Sequence, residues 1–139
     1  MDCLFCKIGK KEIPAEIVYE DEDVFAILDI YPVAPGHTMV IPKIHAQNLL
    51  DLDDSKVAPV FLGVKKVLGI LKKTIKPDGF TVGINHGTVS GQVVDHLHIH
   101  LIPRFLNDHG KSVHSVVLNP PTETPEEIGK RIRDFKSPA

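Results

Sequence analysis

Between Asp95 and Arg104 the chain reads Asp-His-Leu-His-Ile-His-Leu-Ile-Pro-Arg, with histidines at 96, 98 and 100 separated by aliphatic residues. Strict alternation is the period of a β-strand, whose successive side chains face opposite sides. His96, His98 and His100 therefore share one face, and Leu97, Ile99 and Leu101 share the other. Neighbours on one face are about 6.6 Å apart, twice the rise per residue. The aliphatic face suits a core, and the histidine face suits a site. A row of imidazoles packs poorly, so the spacing points to chemistry. Two chemistries stay open: a metal held by all three rings, or nucleophilic work.

The 139 residues suit a single domain, 1–139, with a core of its own. A formal net charge of −2, with eight histidines counted neutral, gives no electrostatic ground for nucleic acid or an anionic membrane as partner. No apolar run reaches the ~18 residues of a membrane span. The start Met1-Asp2-Cys3 lacks a basic segment followed by an apolar one, so no secretory leader is expected. A reducing cytoplasmic setting follows, with Cys3 and Cys6 free of a structural disulfide.

Residues 17–20 and 24–28 read as two strands joined through the acidic turn Asp21-Glu22-Asp23. Tyr31 to Gly36 is a loop punctuated by Pro32 and Pro35, and His37 to Ile41 a further strand ended by Pro42. Asp53, Asp54 and Ser55 offer N-cap oxygens for a long helix. Val57, Val60, Val64, Val67, Leu68 and Leu71 recur there at helical spacing, and Pro59 falls within or just beyond the first turn. Its lysines, 65, 66, 72, 73 and 76, read as a solvated face and a complement to the helix dipole. Phe80 to Ile84 is another strand, and a small-residue loop from Asn85 to Gly91 leads into the histidine strand. A tail begins at Asn119. Within it Thr124-Pro125-Glu126-Glu127 is a capping box that opens a short helix striped by Ile128, Ile132 and Phe135. Strands on both sides of one long helix, without regular alternation, predict an antiparallel α+β domain.

Histidine has an unperturbed pKa of about 6.5, so a neutral ring with a free lone pair is available near pH 7. Such a ring can accept a phosphoryl or nucleotidyl group covalently. Ser90-Gly91-Gln92-Val93-Val94 stands just before the histidines. Gly91 lets backbone approach a ligand closely, successive N–H groups can cradle an anion, and Gln92 adds an amide. Most such loops are only turns; the neighbouring histidines give this one weight. Cys3-Leu4-Phe5-Cys6 is a C-x-x-C pair at zinc-ligand spacing. It supplies half of a tetrahedral site, with histidines as the available remainder. A thioredoxin-like redox pair is disfavoured because no strand precedes it, and unliganded thiols are the plain alternative.

The segment His96-Leu97-His98-Ile99-His100-Leu101-Ile102 resembles the signature of the histidine-triad (HIT) family. The resemblance extends to Phe5 and Ile8, residues 11–15, Ala26 to Ile30, Ala34 to His37, Val40-Ile41-Pro42-Lys43-x-His45, Asn85 and Gly91-Gln92. It implies a HIT-like antiparallel sheet with one long helix and a short C-terminal one, in a homodimer. It also implies hydrolysis of nucleotide derivatives: His98 attacks the α-phosphate, and water releases a nucleoside monophosphate from the nucleotidyl-histidine. His100, Gln92, Asn85 and backbone near Gly91 and Val93 would hold the phosphate. Phe5, Ile8, Ile27 and Ile30 would line a pocket for a purine base, unless they are core, and Asp29 would bind the ribose hydroxyls. Zinc-bearing members imply a structural Zn²⁺ on Cys3, Cys6, His45 and His96. Two departures bear on substrate choice. Position 93 is Val where the Hint-type and Fhit-type branches often carry a hydroxyl residue, and the tail from Asn119 does not resemble the Hint-type C-terminus. The substrate class implied is a nucleoside phosphoramidate or related compound; a dinucleoside polyphosphate, or nucleotide binding with little turnover, is the alternative. His37, His86, His109 and His114 receive no role from the sequence.

Overall fold

The computed structural model describes residues 2–136. β1 (Ile17–Glu20) and β2 (Val24–Leu28) form the expected hairpin. Asp21 shapes its turn, with Oδ1 accepting from the N–H groups of Asp23 and Val24 at 2.8 Å each. β3 (Thr38–Pro42) pairs with β2, β5 (Ile99–Arg104) with β3, and β4 (Gly79–Gly83) with β5. All pairings are antiparallel and the order is β1-β2-β3-β5-β4, so the α+β class predicted from the sequence is the one adopted.

Strand alternation sorts the apolar residues onto two faces. Val24, Ala26, Val40, Leu97, Ile99 and Leu101 face one core, completed by Val60, Val64, Val67 and Leu71 of α2 (Asp54–Thr74). Asp53 caps that helix, its carboxylate accepting from the Ser55 N–H at 2.9 Å. Pro59 is inside it, past the first turn, yet the helix continues. Gly63 lets α2 settle onto the sheet, since a Cβ there would sit 2.7 Å from Val24 Cγ2. Phe25, Ile27, Met39 and Ile41 point the other way and meet Cys3, Phe5 and Ile8.

That second cover is α1 (Leu4–Gly9), a helix the sequence reading leaves out. Six residues are too few for a periodic signal, and its cap is a sulfur: Cys3 Sγ accepts from the Cys6 N–H at 3.4 Å. α1 changes the expectation for the histidine face. His96 is fully buried and His98 only 7% exposed. The predicted strand is also corrected at its start, because β5 begins at Ile99 and His96 lies in a bend. Its backbone turns away from β3 there, with Leu97 N–H bonded at 2.7 Å to the carbonyl of Ala46 in the loop after β3. The alternation of faces nevertheless runs through the bend.

α3 (Pro125–Asp134) carries the predicted capping box, Thr124 Oγ1 accepting from the Glu127 N–H at 3.2 Å. Its stripe finds little cover within the chain, with Ile132 69% and Phe135 72% exposed. Among the described residues no helix is long and apolar enough to cross a membrane.

Candidate functional site

The three triad histidines occupy three different environments. Two of them can be assigned a tautomer from hydrogen bonds, because a backbone carbonyl only accepts and a backbone N–H only donates.

His96 Nε2 lies 2.8 Å from the carbonyl of Pro42, the residue that ends β3. Nε2 therefore carries the ring hydrogen and Nδ1 the lone pair. That lone pair faces Cys3 Sγ at 3.3 Å, Cys6 Sγ at 3.5 Å and His45 Nδ1 at 3.2 Å. Cys6 Sγ is 3.4 Å from His45 Nδ1. The four ligand atoms all lie within 4.8 Å of one another. Tetrahedral bonds of about 2.0–2.3 Å to nitrogen and sulfur place neighbouring ligand atoms at such separations. Two sulfurs and two imidazoles converging with free lone pairs are a zinc-type donor set, and both cysteines are free of disulfide. Burial, aided by His45 and His98, pushes His96 down to about 4. Burial and the neighbouring Cys3 raise the Cys6 thiol; a bound cation reverses that by favouring thiolate.

His98 Nδ1 lies 2.7 Å from the carbonyl of His96. Here Nδ1 carries the hydrogen, and Nε2 keeps the lone pair. Among the described residues Nε2 has no hydrogen-bond partner, and it is reachable from solvent. Phe5 of α1 stands edge-on to the ring, centroids 5.1 Å apart, and the His100 ring lies at the same centroid distance. His98 is thus a fixed, oriented ring whose Nε2 is the nitrogen left open to a ligand.

His100 faces a different set. His37 Nε2 is 2.9 Å from His100 Nδ1, and Asp29 Oδ2 is 3.5 Å from His37 Nε2 and 3.9 Å from His100 Nδ1. Burial, with His98 and His37 adding to it and Asp29 opposing, pushes His100 down to about 4. Burial also lowers His37, against the pull of Asp29. Both rings are neutral near pH 7. Asp29, His37 and His100 are close enough together to suggest a second metal site. The tautomers argue against one: His37 Nδ1 accepts from the Val33 N–H at 3.2 Å. The neutral ring then holds its hydrogen on Nε2, the atom that a metal would need.

The HIT domain family matches residues 10–107. This chain belongs to the HIT family. It is 47% identical over 106 residues to an uncharacterized HIT-like protein of Methanocaldococcus jannaschii, covering 76% of this chain and 81% of that one. It is 41% identical over 113 residues to an adenosine 5′-monophosphoramidase of Schizosaccharomyces pombe, covering 81% and 82%. The crystal structure of a HIT family protein from Bacillus subtilis superposes with a TM-score of 0.85 at 35% identity, over 100% of both chains. Residues 10–107 include the triad and His45 but stop short of Cys3, Phe5, Cys6 and Ile8. The thiol half of the metal-type cluster therefore lies outside the matched HIT domain, Cys3 capping α1 and Cys6 within it.

The remaining predicted residues of the HIT site divide in two. Phe5, Ile8 and Ile27 meet in one buried cluster beside His98, whereas Ile30 stands apart from it at 82% exposed. Asp29 turns toward His37 and His100, and its Oδ1 caps the Tyr31 N–H at 2.9 Å. Asn85 lies next to Gly91, whose φ of 101° is glycine territory. Gln92 is directed at protein: Oε1 accepts from the Gly87 N–H at 2.8 Å, and Nε2 donates to the carbonyls of Gln47 and Val94. In this arrangement it braces the loop that ends in Gly91. Val93 is 91% exposed. His86, His109 and His114 are exposed and outside both clusters. His37 is the residue that sequence reasoning missed. Its signal was a histidine at the start of a buried strand, where an apolar residue would have packed as well.

Proposed function

We propose that the chain is a hydrolase and nucleotidyl transferase acting on the α-phosphate of purine nucleotide derivatives, with nucleoside phosphoramidates as the leading class. One observation carries this: His98 has its Nδ1–H fixed on the His96 carbonyl at 2.7 Å, leaving Nε2 as a preoriented lone pair. Nε2 attacks the α-phosphorus, a P–N(His) bond forms, and the bond to the leaving group breaks as that group takes up a proton. Water then cleaves the P–N(His) bond, releasing the nucleoside monophosphate and restoring the ring. His100, neutral at working pH, donates from Nε2–H to a phosphoryl oxygen. Asn85 and backbone at Gly91 and Val93 complete the phosphate contacts, with Gln92 holding their loop. Phe5, Ile8 and Ile27, packed together beside His98, would floor the base site from the core side, exposed Ile30 would meet the base from outside that cluster, and Asp29 would bind the ribose diol.

The likeness to an adenosine 5′-monophosphoramidase supports the phosphoramidate class. Dinucleoside polyphosphates are the second class, and a nucleotide-binding role with little turnover the third. A side-by-side assay of an adenosine phosphoramidate and diadenosine tetraphosphate tests the three. The expected result is preferential release of AMP from the phosphoramidate; equal inertness of both would favour the binding role.

Cys3, Cys6, His45 and His96 would hold a structural Zn²⁺ with no open position, tying α1 to His96, two residues before the proposed nucleophile. Thiolate ligands of this kind suit a reducing cytoplasm. Metal analysis should find about one zinc per chain in protein purified without chelator. A homodimer formed at the edge strand β4, where Val82 is 40% exposed, would extend the sheet across two copies.

A further inference from the structure

His37 has no role in the reaction described so far, yet it is 5% exposed and in contact with a triad histidine. Its ring is held at both ends. The turn before β3 fixes its backbone, with the His37 N–H bonded to the Ala34 carbonyl at 3.1 Å and its own carbonyl accepting from the Asp29 N–H at 2.9 Å. On the ring, Nδ1 accepts from the Val33 N–H. A backbone N–H offers only a hydrogen, so Nδ1 must present a lone pair. The neutral ring then carries its hydrogen on Nε2, which faces His100 Nδ1 at 2.9 Å and Asp29 Oδ2 at 3.5 Å.

The consequence passes to the next ring. His100 Nδ1 meets a donor, so it presents its lone pair, and the single hydrogen of neutral His100 resides on Nε2. That nitrogen has no partner among the described residues and is reachable from solvent. With the hydrogen on Nε2, His100 offers a donor to an anionic oxygen. With the opposite tautomer it would offer a lone pair and repel the same oxygen. Asp29 makes the choice non-trivial. Its carboxylate oxygen is 3.9 Å from His100 Nδ1, and a carboxylate only accepts. Without the His37 donor, Asp29 becomes the nearest partner and draws the His100 hydrogen onto Nδ1.

We propose that His37 is a positioning residue that locks His100 in its Nε2–H tautomer, the lock being set by the Val33 backbone N–H. The relay is Val33 N–H to His37 Nδ1, then His37 Nε2–H to His100 Nδ1, leaving His100 Nε2–H for the phosphate. His37 itself touches no reacting atom. The chemical meaning of the donor rests on the nucleotide-hydrolase reading above; the tautomer does not.

Long-range ¹H–¹⁵N spectra of the full chain, labelled on histidine, distinguish Nδ1–H from Nε2–H rings without any substrate. Wild type should show both His37 and His100 as Nε2–H. His37→Gln keeps an N–H donor at the place of Nε2 and should keep His100 as Nε2–H, with kcat for the adenosine phosphoramidate within about tenfold of wild type. His37→Ala should move His100 to Nδ1–H and lower kcat on the order of 10²-fold, as loss of one preorganised donor does, with a smaller change in KM. A wild-type spectrum showing His100 as Nδ1–H overturns the proposal even if the alanine variant fails to fold. An unchanged His100 tautomer in folded His37→Ala overturns it as well. If the tautomer moves as expected but wild type hydrolyses no phosphoramidate, the lock stands and the substrate assignment falls.

Discussion

The metal-type cluster and the proposed catalytic cluster use the same side chain, imidazole, yet they leave opposite nitrogens free. At His96 the Pro42 carbonyl takes the Nε2 hydrogen and turns Nδ1 toward two thiols and His45. At His98, two residues on, the His96 carbonyl takes the Nδ1 hydrogen and frees Nε2. At His37 a backbone N–H occupies Nδ1 and forces the hydrogen onto Nε2, against the carboxylate of Asp29 and the ring of His100. Neighbouring backbone groups thus decide which nitrogen of each ring carries the hydrogen and which keeps the lone pair. Side-chain identity alone does not separate them.

The largest effect that separates the clusters falls on His98. His98→Ala should lower AMP release by roughly 10⁴-fold or more while the thermal midpoint stays close to wild type. Comparable turnover in a folded variant would remove the nucleophile from its cluster. Cys6→Ala should do the reverse. With one ligand of the metal-type set gone, stability should fall by about 4 kcal/mol, read from denaturant midpoints, and zinc content should drop. An unchanged midpoint with no metal in wild type would reduce the cluster to packed thiols and rings.

Acid separates the clusters less sharply, since both hold neutral histidines. His100 sits at about 4 in the folded chain against about 6.5 when unfolded. The unfolded state therefore binds the extra proton between these values. The stability due to this ring is fully present above about pH 6.5 and is lost as pH falls toward 4, on the order of 2 kcal/mol. His37 is lowered in the same direction and adds to the loss. Urea melts between pH 7 and 4 should show it, and stability that rises on acidification would contradict the buried neutral assignment. The smallest effect is expected from Asp29→Asn, which retains an oxygen to cap the Tyr31 N–H. KM for the phosphoramidate should rise roughly three- to tenfold through the weakened ribose contact. A larger fall in kcat than rise in KM would move Asp29 from ribose binding to the histidine relay.

Much of this contrast is legible in the sequence, but not its grain. Period-2 alternation puts Leu97, Ile99 and Leu101 in the core and the histidines on the opposite face, even where the backbone leaves the strand at His96. The capping oxygens of Asp53 and Thr124 located the starts of α2 and α3, because a cap is a local interaction. Short α1 was not legible, since its stability comes from burying Phe5 and Ile8 against the sheet. Nor was the role of His37, whose partners Val33 and His100 are brought to it by a loop and by β3–β5 pairing. Three histidines on one face looked equivalent from spacing. What differentiates them is which backbone carbonyl or amide each ring meets, and that is a property of the folded register.

The most direct test is to locate the covalent bond. Rapid acid-free quenching of the wild-type reaction with adenosine phosphoramidate, followed by proteolysis and mass spectrometry, should find an adenylyl group on His98 that accumulates and decays with turnover. An adenylyl group on His96 or His100, or full turnover with no protein adduct at any time, would contradict the division of labour among the three rings.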